Sequence, residues 1–386
     1  MRILHTSDWH VGRRLGRHDR TDETRAALEE VARIADEERV DLVLISGDVF
    51  DRPSPPVEAL SLGLGAMLRL AVGRPVVVVA GNHDSPELFD ALAPLLRQRG
   101  VHAIGAIRSP DAGGVLGPDE LGVPAVVAGF PFLREGRVVD FMAETGRWYG
   151  QYAEKVAAIS AAYNEALIAR AGADLVPILV AHFMVSGVRV SHSERELHIG
   201  EAYAATAQAI PAGPQYVALG HIHAPQSVPG AAVPAEYAGS VLSLDFGEAG
   251  ERKRVVVVDV EPGRLATVRS LPITAGRPLV AARGTWEELE ARSAELANTF
   301  VDLTVAVGGP DPDLGRRAAE AFPYLVRVRA ERPVAERRSR HDPAHRPSDL
   351  DLYAAFVRAT SGGHEPPGEL LDLFRTVLEE AADAPS

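Results

Sequence analysis

Five short motifs hold residues that bind metals or move protons: Asp8-Trp9-His10, Gly47-Asp48-Val49-Phe50-Asp51-Arg52, Gly81-Asn82-His83-Asp84, Ala181-His182-Phe183 and Gly220-His221-Ile222-His223. Each is weak alone, because a histidine after an apolar run is more often packed or capped than ligating. Together they gather five of the chain's 13 histidines around Asp48 and Asn82. Polar groups at five strand ends need partners, and a metal centre supplies them. If Asp48 is shared, Asp8, His10 and His223 complete one ion, and Asn82, His182 and His221 complete a second. Mixed imidazole and oxygen donors without thiolate suit Mn²⁺ or Fe²⁺, with Zn²⁺ also compatible. Dications outweighing these carboxylates favour an anionic phosphodiester. Ions ~3.5–4 Å apart stabilise both the attacking and the leaving oxygens of an in-line displacement.

His83 is left over in this count. Next to Asn82, it is expected to overhang the site and give a proton or hydrogen bond to the leaving oxygen. Asp51 is expected to hold that imidazole in its working tautomer, as a carboxylate behind a histidine does; the bland alternative is an ordinary turn carboxylate. His192 and His198 have no assigned role.

Each motif follows a strand-like apolar run: Ile3-Leu4-His5-Thr6, Asp41-Leu42-Val43-Leu44-Ile45, Val76-Val77-Val78-Val79, Ile178-Leu179-Val180 and Tyr216-Val217-Ala218-Leu219. The C-terminal edge of such strands is where ligands gather in open α/β sheets. Between the first two runs, Ala27, Leu28, Val31, Ala32, Ile34 and Ala35 recur at helical spacing. Strands separated by helices predict an α/β domain over residues 1–268, with Val255-Val256-Val257-Val258 as a late strand. Residues 269–335 predict a small α+β module, with a helix pattern from Trp286 to Leu296 and strand-like runs at Leu303–Val307 and Leu325–Arg329. Residues 336–347 read as a linker. Residues 348–386 hold two amphipathic helix patterns, one with Leu350, Tyr353, Phe356 and Val357, the other with Leu370, Leu371, Phe374, Val377 and Leu378. Two such short helices need a surface to cover their apolar faces, either the body or a partner.

The chain has 386 residues, no cysteine and a formal charge of −13. Disulfides and thiolate sites are excluded, and no apolar stretch is long enough to span a bilayer. The amino terminus shows no signal-peptide core, so a cytoplasmic location is expected. The negative charge argues against coating nucleic acid by bulk electrostatics. Local contact with phosphates remains open at Arg13, Arg14, Arg17 and Arg20, beside the first motif, and along Arg327, Arg329, Arg332, Arg337, Arg338, Arg340 and Arg346. The alternative for both clusters is a solvated surface.

The motif set resembles the calcineurin-like metallophosphoesterase superfamily, whose ligand roles match the assignment above. The openings Met1–Gly12 and Gly47–Asp51, with Ala218–His223 and Tyr237-Ala238-Gly239-Ser240, are similar to the nuclease subunits of bacterial SbcCD complexes. The resemblance implies two packed sheets flanked by helices, a DNA-binding cap and a C-terminal helix-loop-helix. It implies a Mn²⁺-dependent, ATP-regulated nuclease, acting 3′ to 5′ on double-stranded DNA ends and as an endonuclease on hairpins and blocked ends. It also implies a homodimer joined to two copies of SbcC, an SMC-like ATPase, with the stripes at Phe356 and Phe374 docking on that partner. Archaeal and eukaryotic relatives carry a second histidine where Asp51 stands. Two rivals remain: a phosphatase or small-molecule phosphodiesterase with the same metals, and a scaffold that has lost the chemistry. The extra modules weigh against the first, and the complete ligand set against the second.

Overall fold

The computed structural model describes residues 1–134, 152–191, 204–331, 348–360 and 365–382. His192, His198, the arginines from Arg332 to Arg346 and the expected linker lie outside them. The chain forms two compact units, Met1–Glu331 and Arg332–Ser386.

In the first unit two six-stranded sheets pack face to face. The first has, in spatial order, Thr267–Pro272, Arg254–Asp259, Arg2–Thr6, Leu42–Ile45, Val76–Val79 and Val101–Ile104. The last four are parallel, and the first two pair antiparallel. The second sheet is built on parallel Ala125–Phe130, Val176–His182, Tyr216–Gly220 and Ala235–Tyr237, edged by antiparallel Val115–Leu116 and Gln226–Ser227. Alternation explains why both faces of these strands are apolar. Ile3, Leu44, Val77, Ile178 and Ala218 fill the space between the sheets. Leu4, Val43 and Val78 turn outward under helices α1 (Thr21–Glu37), α2 (Val57–Leu70) and α3 (Pro86–Arg97). The outer face of the second sheet is covered by the helix Tyr152–Ala171. This is the expected helix-flanked sandwich.

Thr267–Pro272 extends the first sheet across the boundary drawn at residue 268. Beyond it, Leu279–Gly284, Phe300–Ala306 and Leu325–Glu331 form a parallel three-stranded sheet. One face packs on the helices Trp286–Glu290 and Leu314–Ala321. The opposite face meets the body through Leu279 and Phe300 against Leu15, with Phe246, Tyr324 and Val326 around them. The helix expected from Trp286 to Leu296 stops at Glu290 and gives way to turns. In the second unit, Asp349–Thr360 and Gly368–Ala382 form a helix pair with Tyr353 stacked on Phe374 at 3.9 Å between ring centroids.

Candidate metal centre

Five parallel strands, three in the first sheet and two in the second, bring the motifs together at their C-terminal ends. Asp8 and His10 follow Arg2–Thr6, Asp48 follows Leu42–Ile45, and Asn82 and His83 follow Val76–Val79. His182 ends its own strand, and His221 and His223 follow Tyr216–Gly220. Ser85 caps α3 by accepting from Leu88 N at 3.1 Å, so the third loop is pinned between strand and helix. The loops approach one another so closely that three motif glycines are required, a Cβ on Gly220 lying 1.9 Å from the Ser46 carbonyl oxygen. A Cβ on Gly81 would lie 2.1 Å from Asp48 Oδ1, and one on Gly47 would lie 2.3 Å from His182 Nδ1. Asp8, His10, Asp48 and His221 all hold positive φ, and the only other described non-glycine residue to do so is Arg39. Left-handed backbone at four site residues costs energy that the surrounding structure must offset.

The side chains converge. Potential ligand atoms of Asp8, His10 and His223 lie within 4.8 Å of one another, as do those of Asp8, Asp48 and His182 and those of His10, Asp48 and His83. Asp48 Oδ2 stands 3.7 Å from His10 Nε2 and 3.5 Å from His182 Nε2, so it faces both halves of the site. Its Oδ1 accepts from His83 N at 2.7 Å. Asn82 Oδ1 is 2.9 Å from both His182 Nε2 and His221 Nδ1. His10 and His223 approach to 3.1 Å between their Nε2 atoms.

Burial pushes the Asp8 carboxyl up to about 6 and His10 down to about 4. Burial alone would raise Asp48, but the charges of His182, His83 and His10 outweigh it and hold that carboxyl well below the usual range. For His182 burial acts downward, and the Asp48 carboxylate reverses it to reach about 9. Asp51 is likewise favoured as the anion against burial, held at about 2 by its contact with His10. Burial and the Asp48 charge push Asp84 up to about 7, with backbone donors from Gly81, Phe50 and Val49 pulling the other way.

Asp51 corrects one expectation. Its carboxylate does not face His83; it lies 3.6 Å from His10 Nδ1 and 3.2 Å from Arg13 Nη1. His83 Nδ1 instead donates to the Asp51 main-chain carbonyl at 2.8 Å. A carbonyl only accepts, so that bond fixes the proton on Nδ1 and leaves Nε2 for the reaction. The arginine cluster also divides. Arg14 and Arg17 are exposed, and Arg13 is tied to Asp51. Arg20 is not available to a ligand: it is buried against Glu23 at 2.7 Å and lies over the Phe300 ring at 5.2 Å. Arg327 and Arg329 both pair with the buried Asp302 and keep exposed flanks. In the helix pair Phe356 is 62% exposed, whereas Phe374 is partly spent on Tyr353.

Several positioning groups have no role assigned from the sequence, although Asp84 lies within the third motif. Asp84 accepts from Val49, Phe50 and Gly81 N and so clamps the second loop to the third. Arg134 donates to the carbonyls of Asn82 and Asp84. Ser46 offers its carbonyl to His182 Nδ1 at 2.7 Å. Glu248 reaches His223 Nδ1 at 3.2 Å.

With this geometry in view, likeness to known proteins is decisive. Residues 1–225 match the model of the calcineurin-like phosphoesterase family. The SbcD subunit of nuclease SbcCD from Bacillus subtilis is 34% identical, over 97% of this chain and 97% of that protein. The chain belongs to the calcineurin-like phosphoesterase family, and within it to the SbcD subunits of SbcCD nucleases. The SbcD subunit of Rhodobacter capsulatus is 33% identical, over 98% of this chain and 93% of its own. That of Escherichia coli (strain K12) is 33% identical over 93% and 92%. The chain is thus a binuclear-metal phosphodiesterase.

The residues present fit divalent ions. His182 and His223 are each backed at Nδ1 by an oxygen, as metal-ligating histidines are. That leaves the His182 Nε2 lone pair facing the Asn82 oxygen, a contact that a cation held between them relieves. A ligating imidazole must be neutral, so cation binding there displaces the proton that Asp48 otherwise holds on His182. No helix among the described residues is long and apolar enough to cross a membrane.

Proposed function

We propose that this chain is the DNA nuclease subunit of an SbcCD-type repair complex, using two Mn²⁺ ions to act 3′ to 5′ on double-stranded ends and to open hairpins and blocked ends. The observation that carries the reading is a likeness to the SbcD subunits of SbcCD nucleases that runs through the small sheet and the helix pair as well as the phosphoesterase part. A small phosphodiester needs neither module.

In this reading Asp8, His10 and His223 hold one ion, Asn82, His182 and His221 the other, and Asp48 both. Two dications held by these residues would polarise the phosphoryl group and offset charge on the attacking and leaving oxygens. His83, with its Nδ1 proton anchored on the Asp51 carbonyl, delivers a proton or hydrogen bond from Nε2 to the leaving oxygen. Residues 269–335 form the DNA-binding cap, where Arg327 and Arg329 present positive charge beside Asp302. Exposed Arg14 and Arg17, with Arg13 beside the site, grip phosphates.

Residues 348–386 dock on an SbcC-type ATPase through a stripe of exposed Leu352, Phe356, Leu373 and Val377. In this reading the chain also forms a homodimer, as the resemblance to SbcCD nuclease subunits implies. The absence of cysteine supports a cytoplasmic setting.

The test is Mn²⁺-dependent cleavage of end-labelled duplex and hairpin DNA, with bis-p-nitrophenyl phosphate alongside. Cleavage of both DNAs is expected. Turnover of the small diester with neither DNA cut, even with the ATPase present, establishes the small-substrate reading instead. Removing residues after Pro347 is expected to abolish co-purification with the ATPase and to spare Mn²⁺ binding.

A further inference from the structure

A buried ion pair lies behind the site, at a place no motif marks. The Glu248 side chain is fully buried and the Lys253 side chain is 6% exposed, with Nζ 2.7 Å from Glu248 Oε2. Burying such a pair costs desolvation that its attraction only partly offsets, so its presence is poor evidence of a stabilising role. What the pair does touch is His223. Glu248 Oε1 lies 3.2 Å from His223 Nδ1, and Lys253 Nζ donates to the His223 carbonyl at 3.1 Å. Ser240 Oγ and Leu244 N donate to Glu248 Oε2 at 3.2 and 3.0 Å, which fixes the carboxylate in place.

The turn that carries Glu248 faces two ways. It is a single short helical turn, Phe246–Glu248, started by Asp245 accepting from Gly247 N at 2.7 Å. Phe246, two residues before Glu248, packs into the junction of Leu15, Leu279 and Phe300, where the small sheet meets the body. One rigid turn therefore has one side chain against a site histidine and another against the neighbouring sheet.

We propose that Glu248 is a positioning residue for His223, and that the Phe246–Glu248 turn couples the hold on that histidine to the seating of the small sheet. The carboxylate accepts the Nδ1 proton and turns Nε2 toward His10, the orientation a ligand needs. Displacing the small sheet pulls on Phe246 and, through two residues of backbone, on the carboxylate behind His223. The proposal rests on reading His223 as a metal ligand.

The test is calorimetric titration of the full chain with Mn²⁺ alone, comparing wild type with His223→Ala, Glu248→Ala, Glu248→Gln and Phe246→Ala. His223→Ala is expected to lose one of two ions; if it keeps both, the ligand reading fails, and the proposal with it. Glu248→Ala is expected to weaken one ion by roughly 10–100-fold and leave the other unchanged. Glu248→Gln, whose amide oxygen still accepts from Nδ1, is expected to recover part of that loss. Phe246→Ala is expected to weaken the same ion by a smaller factor. Wild-type affinities in Glu248→Gln and Glu248→Ala, with one ion lost in His223→Ala, overturn the Glu248 role and leave the ligand reading standing. Equal weakening of both ions in Glu248→Gln marks a general structural part and also overturns it. Wild-type binding by Phe246→Ala removes the coupling.

Discussion

Two histidines of the site are oriented by main-chain carbonyls and two face carboxylates. His83 donates to the carbonyl of Asp51 and His182 to that of Ser46, at 2.8 and 2.7 Å. His223 is backed by the Glu248 carboxylate at 3.2 Å, and His10 faces that of Asp51 at 3.6 Å. A carbonyl partner survives any side-chain substitution and adds no charge. A carboxylate partner adds negative charge that favours cation binding and is lost in a single mutation. The proposed proton-delivering group thus has the sturdier support, and the histidines of one proposed ion have the tunable one. Asp51 serves both kinds, one through its backbone and one through its side chain.

The contrast predicts separable phenotypes. His83→Ala removes the proton-delivering ring and leaves the seven proposed ligands in place. Its kcat is expected to fall roughly 10²–10⁴-fold while Mn²⁺ titration stays that of wild type. Loss of metal in this variant, or a kcat near wild type at saturating Mn²⁺, breaks the division of labour.

The main-chain half has a support of its own that acid weakens. Ser46, whose carbonyl holds His182, also places its hydroxyl 2.8 Å from His5 Nε2, and His5 Nδ1 lies 2.8 Å from the Tyr216 hydroxyl across the sheets. Burial, with Arg254 nearby, pushes His5 down to about 3. The unfolded chain takes up that proton near pH 6.5 and the folded chain does not. Below pH 6.5 the unfolded state binds more protons, so this contribution to stability falls with pH until about 3. Between pH 7.5 and 5 the loss is about 2 kcal/mol, near 30-fold in the folding equilibrium. In urea unfolding of the metal-stripped chain, wild type is expected to lose that much more than His5→Gln over this range. Equal losses in the two proteins place the acid sensitivity elsewhere.

Much of this arrangement was legible in the residues. Runs such as Val76–Val79 are apolar on both faces because both faces are covered, and five polar motifs at their ends stand out against them. The orienting groups were not legible, for two physical reasons. A carbonyl belongs to every residue, so nothing about Ser46 or Asp51 as a letter announces that its backbone accepts a histidine proton. Glu248 is 25 positions from His223 and is brought to it only by the fold. Charge misled in a third way. Arg20 reads as part of a basic surface, but its guanidinium is needed over the Phe300 ring and against Glu23, beside the small sheet. The strand Ala125–Phe130 went unmarked because its alanines and glycine dilute the apolar signal, although every residue of it is buried.

At Asp51 both kinds of support come from one residue. Asp51→Ala deletes the carboxylate and keeps the carbonyl. The His83 bond then remains, and what is lost is the carboxylate facing His10 and its pair with Arg13. At 3.6 Å the His10 contact is longer than a full hydrogen bond, so the expected cost lies at the low end for such groups. Mn²⁺ affinity is expected to fall about tenfold, with kcat at saturating Mn²⁺ within about threefold of wild type. This is the reverse of His83→Ala, in which turnover is lost and metal affinity kept. If Asp51→Ala at saturating Mn²⁺ is as slow as His83→Ala, the carboxylate governs His83 after all, and the main-chain bond is not what keeps that ring in its working tautomer.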